Sequence, residues 1–220
     1  MQLCIIFPAK DEEETIGRNV KIAKKHTDLV YVVDNCSKDK TALEARKNGA
    51  EVIDASERQG KGWAMKKGIE RALELDVDAV MFLDADLESL CDEWILKLCN
   101  GLKEYDRVQS NVWRKEGDGL VTQFTAKPLL ANLFPELDHI DQPLIGEWVA
   151  KKRVFQMLPI DSLPDNWGID ISLLIWTHLL GFSIGQVYLG KRLHTSTRDY
   201  TTEYLSKMAK EVARAVLNFV

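Results

Sequence analysis

The sequence predicts an α/β fold built on a mostly parallel sheet, and three observations carry that expectation. Across the first hundred residues, short apolar runs alternate with longer, charged, helically periodic stretches, the pattern of repeated β-α units. Acidic and polar residues gather directly after those runs, at the strand ends where open α/β sheets receive ligands. The chain has 220 residues, 45% hydrophobic and 29% charged, enough for one core of ordinary size.

Each element has its own justification. Leu3 to Phe7 is a first buried strand, left by a loop over Pro8 to Glu14 and followed by a helix from Thr15 to His26 with Ile16, Val20 and Ala23 inside. Leu29 to Val33 is a second strand, closed by the turn-rich Asp34-Asn35-Cys36-Ser37-Lys38-Asp39. A helix from about Lys40 to Asn48 stops at Gly49, and Glu51 to Ile53 is a short third strand. A loop containing Gln59-Gly60-Lys61-Gly62 leads into a helix from about Trp63 to Leu75. Ala79 to Leu83 is a buried strand that runs into Asp84-Ala85-Asp86, and Leu90 to Leu102 is helical.

Beyond residue 105 the rhythm changes. The pattern predicts a strand over Arg107 to Trp113, a helix over Val121 to Leu133, and a short strand and helix within Glu147 to Leu158. A helix near Ile169 to Leu180, a strand near Ile184 to Leu189 and an amphipathic tail helix from about Thr202 to Asn218 complete the order. No repeat, low-complexity tract or linker divides the chain, so residues 1–220 are expected to form a single domain with two functional halves, 1–104 and 105–220.

A formal net charge of -5 argues against a nucleic-acid partner, which needs clustered Lys and Arg to neutralise phosphates. Cys4, Cys36, Cys91 and Cys99 form no C-x-x-C pair, so neither a zinc site nor a disulfide framework is expected, and reduced thiols in a cytoplasmic protein are. No leader or transmembrane segment is expected. The longest apolar-rich segment, Ile171 to Gly185, is interrupted by Ser172, Thr177, His178 and Ser183 and, at about 1.5 Å per residue, is too short for a bilayer core.

Asp84-Ala85-Asp86 is the most informative triplet. Its two carboxylates leave the C-terminal end of a buried strand, and strand residues two apart point to the same side, so both are expected to meet one hard cation, with phosphate oxygens and water completing the shell. Alone, such a triplet in an acidic protein is more often a solvated turn. The coincidence with Pro8-Ala9-Lys10-Asp11-Glu12, with Val33-Asp34-Asn35-Cys36-Ser37 and with Gln59-Gly60-Lys61-Gly62 favours the functional reading. The last segment offers glycines that let backbone approach a ligand and a cation for a phosphate.

These segments resemble motifs of a known group. Pro8 to Glu12 resembles a P-A-x-N-E start, Val33 to Asp39 resembles V-D-D-G-S-x-D, and Asp84 to Asp86 resembles the D-x-D of nucleotide-sugar glycosyltransferases. The fold this resemblance implies is GT-A, a Rossmann-like nucleotide-binding mixed sheet flanked by helices. In the second half, Gly119 to Thr122, Lys127 to Leu130, Leu133 to Leu137, Gln142 to Glu147, Trp167 to Ile171 and Gln186 to His194 follow the order seen in glucosyl-3-phosphoglycerate synthases and their relatives.

The resemblance implies a metal-dependent, retaining transfer of a hexose from UDP-glucose or GDP-mannose to glycerate, phosphoglycerate or a similar small hydroxy acid, with Mg²⁺ or Mn²⁺. Residues 1–104 would be the donor half and 105–220 the acceptor half. By position, Pro8, Ala9, Glu12 and Asp34 would hold base and ribose, Lys61 the nucleotide, and Asp84 the ribose or sugar. Asp86 and His194 would ligate the metal, Asp170 and Glu147 would position the sugar as catalytic residues, and Gly119, Val121 and Thr122 would hold the acceptor.

Leu120 stands where relatives using 3-phosphoglycerate have an arginine, so unphosphorylated glycerate becomes a candidate unless Arg114, Lys115 or Arg198 supplies the charge. Lys10-Asp11 and Asn35-Cys36 also depart from the usual N-E and D-G, leaving uridine or guanosine open. The alternative in the same fold is a polyprenyl (dolichyl) phosphate sugar synthase. It would use the stripe Tyr204, Leu205, Met208, Val212, Val216 and Phe219 against a membrane, whereas such a stripe is more often packed core or a homodimer contact. A binding module without activity is disfavoured, because Asp84, Asp86 and His194 are all present.

Overall fold

The structure, a computed structural model, describes residues 1–113, 118–195 and 201–220. Seven strands form one sheet: β1 (Leu3–Ala9), β2 (Val30–Asp34), β3 (Glu51–Asp54), β4 (Ala79–Phe82), β5 (Arg107–Trp113), β6 (Trp148–Lys151) and β7 (Ile184–Lys191). Their order across the sheet is β3-β2-β1-β4-β6-β5-β7. The pairs among β1 to β4 are parallel, as the alternating pattern requires. The departure is β6, which runs antiparallel between β4 and β5, while β5 and β7 are again parallel.

That one reversed strand matters for position. Because β6 is antiparallel, the residue before it, Glu147, lies at the same edge as the carboxyl ends of β1, β2, β4, β5 and β7. The sheet keeps the chain's two halves side by side, with β3, β2, β1 and β4 from residues 1–104 and β6, β5 and β7 from residues 105–220.

Successive side chains along β1 alternate between two cores, as the period of a strand dictates. Leu3, Ile5 and Phe7 pack with α1 (Ile16–Ala23) and α4 (Asp92–Gly101). Cys4 and Ile6 pack on the other face with α3 (Lys61–Glu74), α6 (Lys152–Met157) and α7 (Ile169–Leu179). The remaining first-half helix, α2 (Thr41–Lys47), lies beside α1. A third core joins the π-helical turn Thr122–Ala126, α5 (Lys127–Leu133), α7 and α8 (Thr202–Leu217).

Three of the boundaries that differ from the sequence expectation bear on the site. β1 continues through Pro8 and Ala9, because both lie beyond Ile6, the last β1 residue paired with β4, so proline's missing N–H costs no bond on that side. β4 ends at Phe82, which leaves Asp84-Ala85-Asp86 on a turn; the strand alternation that would have aimed both carboxylates together does not apply. α3 starts at Lys61, two residues early, and puts Gly62 in its first turn.

Candidate active site at the carboxyl edge of the sheet

A cavity of about 810 Å³ opens at that edge, and ten of the thirteen residues singled out above line it: Pro8, Ala9, Glu12, Lys61, Asp84, Asp86, Gly119, Val121, Thr122 and His194. Asp34, Glu147 and Asp170 do not. The Asp34 carboxylate accepts from the Ser37 backbone N–H at 3.2 Å, and its neighbour Asn35 lines the cavity instead. Glu147 is fully buried and Asp170 is 2% exposed, so each reaches the cavity only through a cation.

Those cations are Lys61 and Arg192. Lys61 Nζ lies 2.9 Å from Asp170 and 3.2 Å from Asp84. Arg192 donates from Nε to Glu147 at 3.1 Å and from an Nη to Asp84 at 3.0 Å, with Asp86 at 3.5 Å. Among the described residues, four carboxylates thus share two cations. Burial alone would lower the pKa of Lys61, but Asp170 and Asp84 outweigh it and hold the ammonium above the usual lysine range. The same balance, against Glu147, Asp84 and Asp86, holds Arg192 above its ordinary value. Asp170 goes the other way, raised by burial against the pull of Lys61.

His194 arrives by a local device. The chain leaving β7 runs antiparallel to the turn after β4, with a Leu87 to His194 bridge, Glu88 N–H donating to the Leu193 carbonyl and Thr195 N–H to the Asp86 carbonyl. His194 Nδ1 comes to 3.5 Å from Asp86 Oδ2, and Nε2 to 3.6 Å from Asp118 Oδ2. Nδ1 is buried, with no hydrogen-bond partner among the described residues. Two cis ligands on an octahedral ion with bonds of about 2.1 Å stand about 3 Å apart, so an imidazole nitrogen and a carboxylate oxygen at this separation fit one divalent ion. Among the described residues no group of three His, Cys, Asp or Glu side chains is arranged to hold a metal, so such an ion would take its other ligands from substrate oxygens and water.

Several positioning residues escaped the sequence reading. Arg192 is the chief one, and period-two alternation along the extended Arg192-Leu193-His194 could have placed it beside His194. Thr15 Oγ1 donates to the Ala85 carbonyl at 2.8 Å, and Asn19 Nδ2 donates to Ala85 and Leu87, so α1 pins the acidic turn. Asn19 sits between Ile16 and Ala23 on the helix's buried face, and an amide among apolar residues is the signal that marks it. Gly146 leaves room for Asp84: a Cβ there would lie 2.0 Å from Asp84 Oδ1.

The glycines of Gln59-Gly60-Lys61-Gly62 also serve a packing purpose. A Cβ on either would come within 2.0 Å of a backbone oxygen, Asp165 for Gly60 and Pro164 for Gly62. They admit the 163–167 loop, which brings Trp167 over Lys61 at 5.6 Å, while Gly60 also lines the cavity. Arg114, Lys115 and Arg198 lie outside the described residues. The tail stripe divides: Val212 and Val216 are buried and Phe219 meets Phe134 and Trp176 edge-on, while Tyr204, Leu205 and Met208 line the cavity.

A sheet that ends in glycine-bordered loops, an acidic turn and a histidine around one cleft is suited to a phosphorylated, sugar-bearing nucleotide, and fold and cleft together define a nucleotide-sugar glycosyltransferase of the GT-A fold. Residues 4–155 match glycosyl transferase family 2. Glucosyl-3-phosphoglycerate synthase of Petrotoga mobilis is 30% identical over 99% of this chain and 73% of its own length. Mannosylglycerate synthase of Rhodothermus marinus is 28% identical over 90% of this chain and 57% of its own. The Mycobacterium tuberculosis glucosyl-3-phosphoglycerate synthase, solved with Mn²⁺, UDP and phosphoglyceric acid, superposes with a TM-score of 0.86 at 30% identity, covering 99% of this chain and 78% of that one. The chain belongs to glycosyltransferase family 2.

Proposed function

We propose that the chain transfers a hexose, with retention, from a nucleoside diphosphate sugar to glycerate, phosphoglycerate or a similar small hydroxy acid, using Mg²⁺ or Mn²⁺, in the cytoplasm. The observation that carries this reading is the meeting of Asp86 and His194 on the cavity floor, beside Asp84 and Lys61. The similarity to synthases of glycosylated glycerates, over almost the whole chain, supports the acceptor class.

In this reading residues 1–104 supply the donor wall, with Pro8, Ala9, Glu12 and the Asp34-Asn35 turn around base and ribose. Residues 105–220 supply the acceptor wall, with Gly119, Val121 and Thr122. Asp86 and His194 hold the ion, which when bound stabilises the negative charge that develops on the departing diphosphate. Lys61 faces the donor, and Asp170 keeps that ammonium charged and aimed. Glu147 does the same for Arg192, which spaces the two aspartates of the acidic turn. Asp170 and Glu147 therefore act as positioning residues. The acceptor hydroxyl attacks from the face the diphosphate leaves, and a departing phosphate oxygen takes its proton, so no separate general base is needed.

The dolichyl alternative loses its surface, because the tail stripe faces the third core at Val212, Val216 and Phe219 and the cavity at Tyr204, Leu205 and Met208, and no helix among the described residues is long and apolar enough to cross a membrane. Nucleoside diphosphate release tests the proposal, crossing UDP-glucose and GDP-mannose with glycerate, 3-phosphoglycerate and dolichyl phosphate. Release with a three-carbon acid that stops on adding EDTA is expected. Release that ignores EDTA, or that occurs with dolichyl phosphate alone, overturns it.

A further inference from the structure

The segment that carries Asp86 is held from two sides, and the two supports do different work. On one side the Asp86 carbonyl accepts from the Thr195 N–H, and the Glu88 N–H donates to the Leu193 carbonyl. Those bonds lace Asp86 to the His194 segment and fix the two candidate ligands relative to one another. On the other side every bond comes from a side chain of α1 or its cap. Asn19 Nδ2 donates to the Ala85 and Leu87 carbonyls at 3.1 and 2.9 Å, Thr15 Oγ1 to Ala85 at 2.8 Å, and Arg18 Nη2 to Leu90 at 2.9 Å. This second set fixes where the laced pair stands relative to α1.

α1 is in turn continuous with the opposite wall of the cavity. The Ile16 N–H donates to the Glu12 carbonyl at 3.0 Å, and Pro8 to Glu12 line the cavity. That loop is stapled to the turn after β2: the Glu12 N–H donates to Thr41 Oγ1 at 2.7 Å, the Asp11 N–H to Ser37 Oγ at 3.0 Å, and the Lys38 N–H to Asp11 Oδ1 at 2.7 Å. Asn19 sits fully buried on the apolar face of the helix that joins these two regions. A buried amide is tolerated only when its hydrogen bonds are made, and this one directs its donors to the residues on either side of Asp86.

We propose that Asn19 is a positioning residue that sets the register of the Asp86–His194 pair against the Pro8 to Glu12 wall, so that a diphosphate whose nucleoside rests on that wall reaches the ion held by the pair. The proposal rests on the function stated above. With two protein ligands, the ion gains affinity when phosphate oxygens complete its shell, and that gain depends on register. Asn19 therefore governs how strongly nucleotide and metal reinforce each other, more than how strongly either binds alone.

The experiment titrates Mn²⁺ into the full chain, alone and with UDP or GDP present, and compares wild type with Asn19→Leu, which keeps the branched shape and removes both donors. Chelation of Mn²⁺ by free nucleotide is common to the two chains and cancels. The rise in Mn²⁺ affinity brought by nucleotide is expected to shrink about tenfold in Asn19→Leu, while affinity for Mn²⁺ alone changes by less than about threefold. Thr15→Val, which loses one bond to Ala85, is expected to shrink the rise less, and it carries the test if Asn19→Leu does not fold. Asp106→Asn, at the opposite edge of the sheet, removes a stabilising carboxylate outside this path and should keep the wild-type rise. An unchanged rise in the variants that fold overturns the proposal, as does an equal loss in Asp106→Asn or a loss confined to Mn²⁺ alone; the function above then stands. A wild-type chain whose Mn²⁺ affinity neither UDP nor GDP raises overturns both.

Discussion

The same strands end in two charge clusters of opposite kind. At the carboxyl edge four carboxylates share Lys61 and Arg192 around a cavity. At the amino edge a single carboxylate, Asp106, is shared by Lys151 at 3.1 Å and by Arg153, and it also accepts from the Ser183 hydroxyl and N–H. Burial would raise the Asp106 pKa, but its hydrogen bonds to Arg153, Lys151 and Ser183 outweigh that and hold it at about 2. Asp170, at the other edge, is raised. An acid surrounded by cations ties β5, β6 and β7 together; an excess of acid over cations is a site prepared for a further positive charge.

The largest test of this contrast removes an acid from the carboxyl edge. Asp86→Ala should lower turnover by about 10²- to 10³-fold and weaken Mn²⁺ binding in a titration, with the far-ultraviolet circular dichroism unchanged. Unaltered metal affinity would assign the ion elsewhere. Arg192→Met is next, because it leaves Glu147 fully buried without its guanidinium. A cost of about 3 to 5 kcal/mol is expected, read as a fall of about 6 to 20 °C in Tm.

At the amino edge, Asp106→Asn should cost about 1 to 3 kcal/mol near pH 7. The folded pKa lies below the unfolded value of about 3.9, so the carboxylate stabilises above that pH and the benefit is lost as pH falls toward about 2. Melts of wild type and variant should therefore converge in that window; a gap that persists at the acid end would count against the ionic account. Asp170, with a raised pKa, acts in the opposite sense, its ionised form costing stability at neutral pH.

The smallest expected effect concerns backbone strain beside the cavity. Cys36 has φ +64° where the resembling motif has glycine, and Asp11 has φ +57° where it has asparagine. Asp visits this region with less strain than most residues, but cysteine pays about 1 kcal/mol or more. Cys36→Gly should raise stability by up to about 1 kcal/mol in urea melts, and a loss instead would show that the Sγ contact with the Ser56 carbonyl outweighs the strain.

Much of the first half was legible because its motifs are local. The first, second and fourth apolar runs carry cavity-lining residues at their own ends, and the strands and helices fall within a few residues of the pattern. Glu147 and Asp170 were found as residues but not as buried groups, since burial depends on which cations fold over them. Arg192 was hidden within the Gln186 to His194 segment for the same reason: its value comes from three acids lying 108, 106 and 45 positions earlier.

By itself, the sequence determined the α/β class and the element order, because apolar periodicity and strand-end chemistry act over a few residues, and the resemblance of its motifs pointed to the acidic turn and the histidine as candidates. The tertiary structure alone decided the reversal of β6, the pairing of Asp86 with His194, the sharing of four carboxylates by two cations and the loop packed on Gly60 and Gly62. Those depend on contacts between segments up to about a hundred residues apart, where charge and close packing, not periodicity, choose the partner.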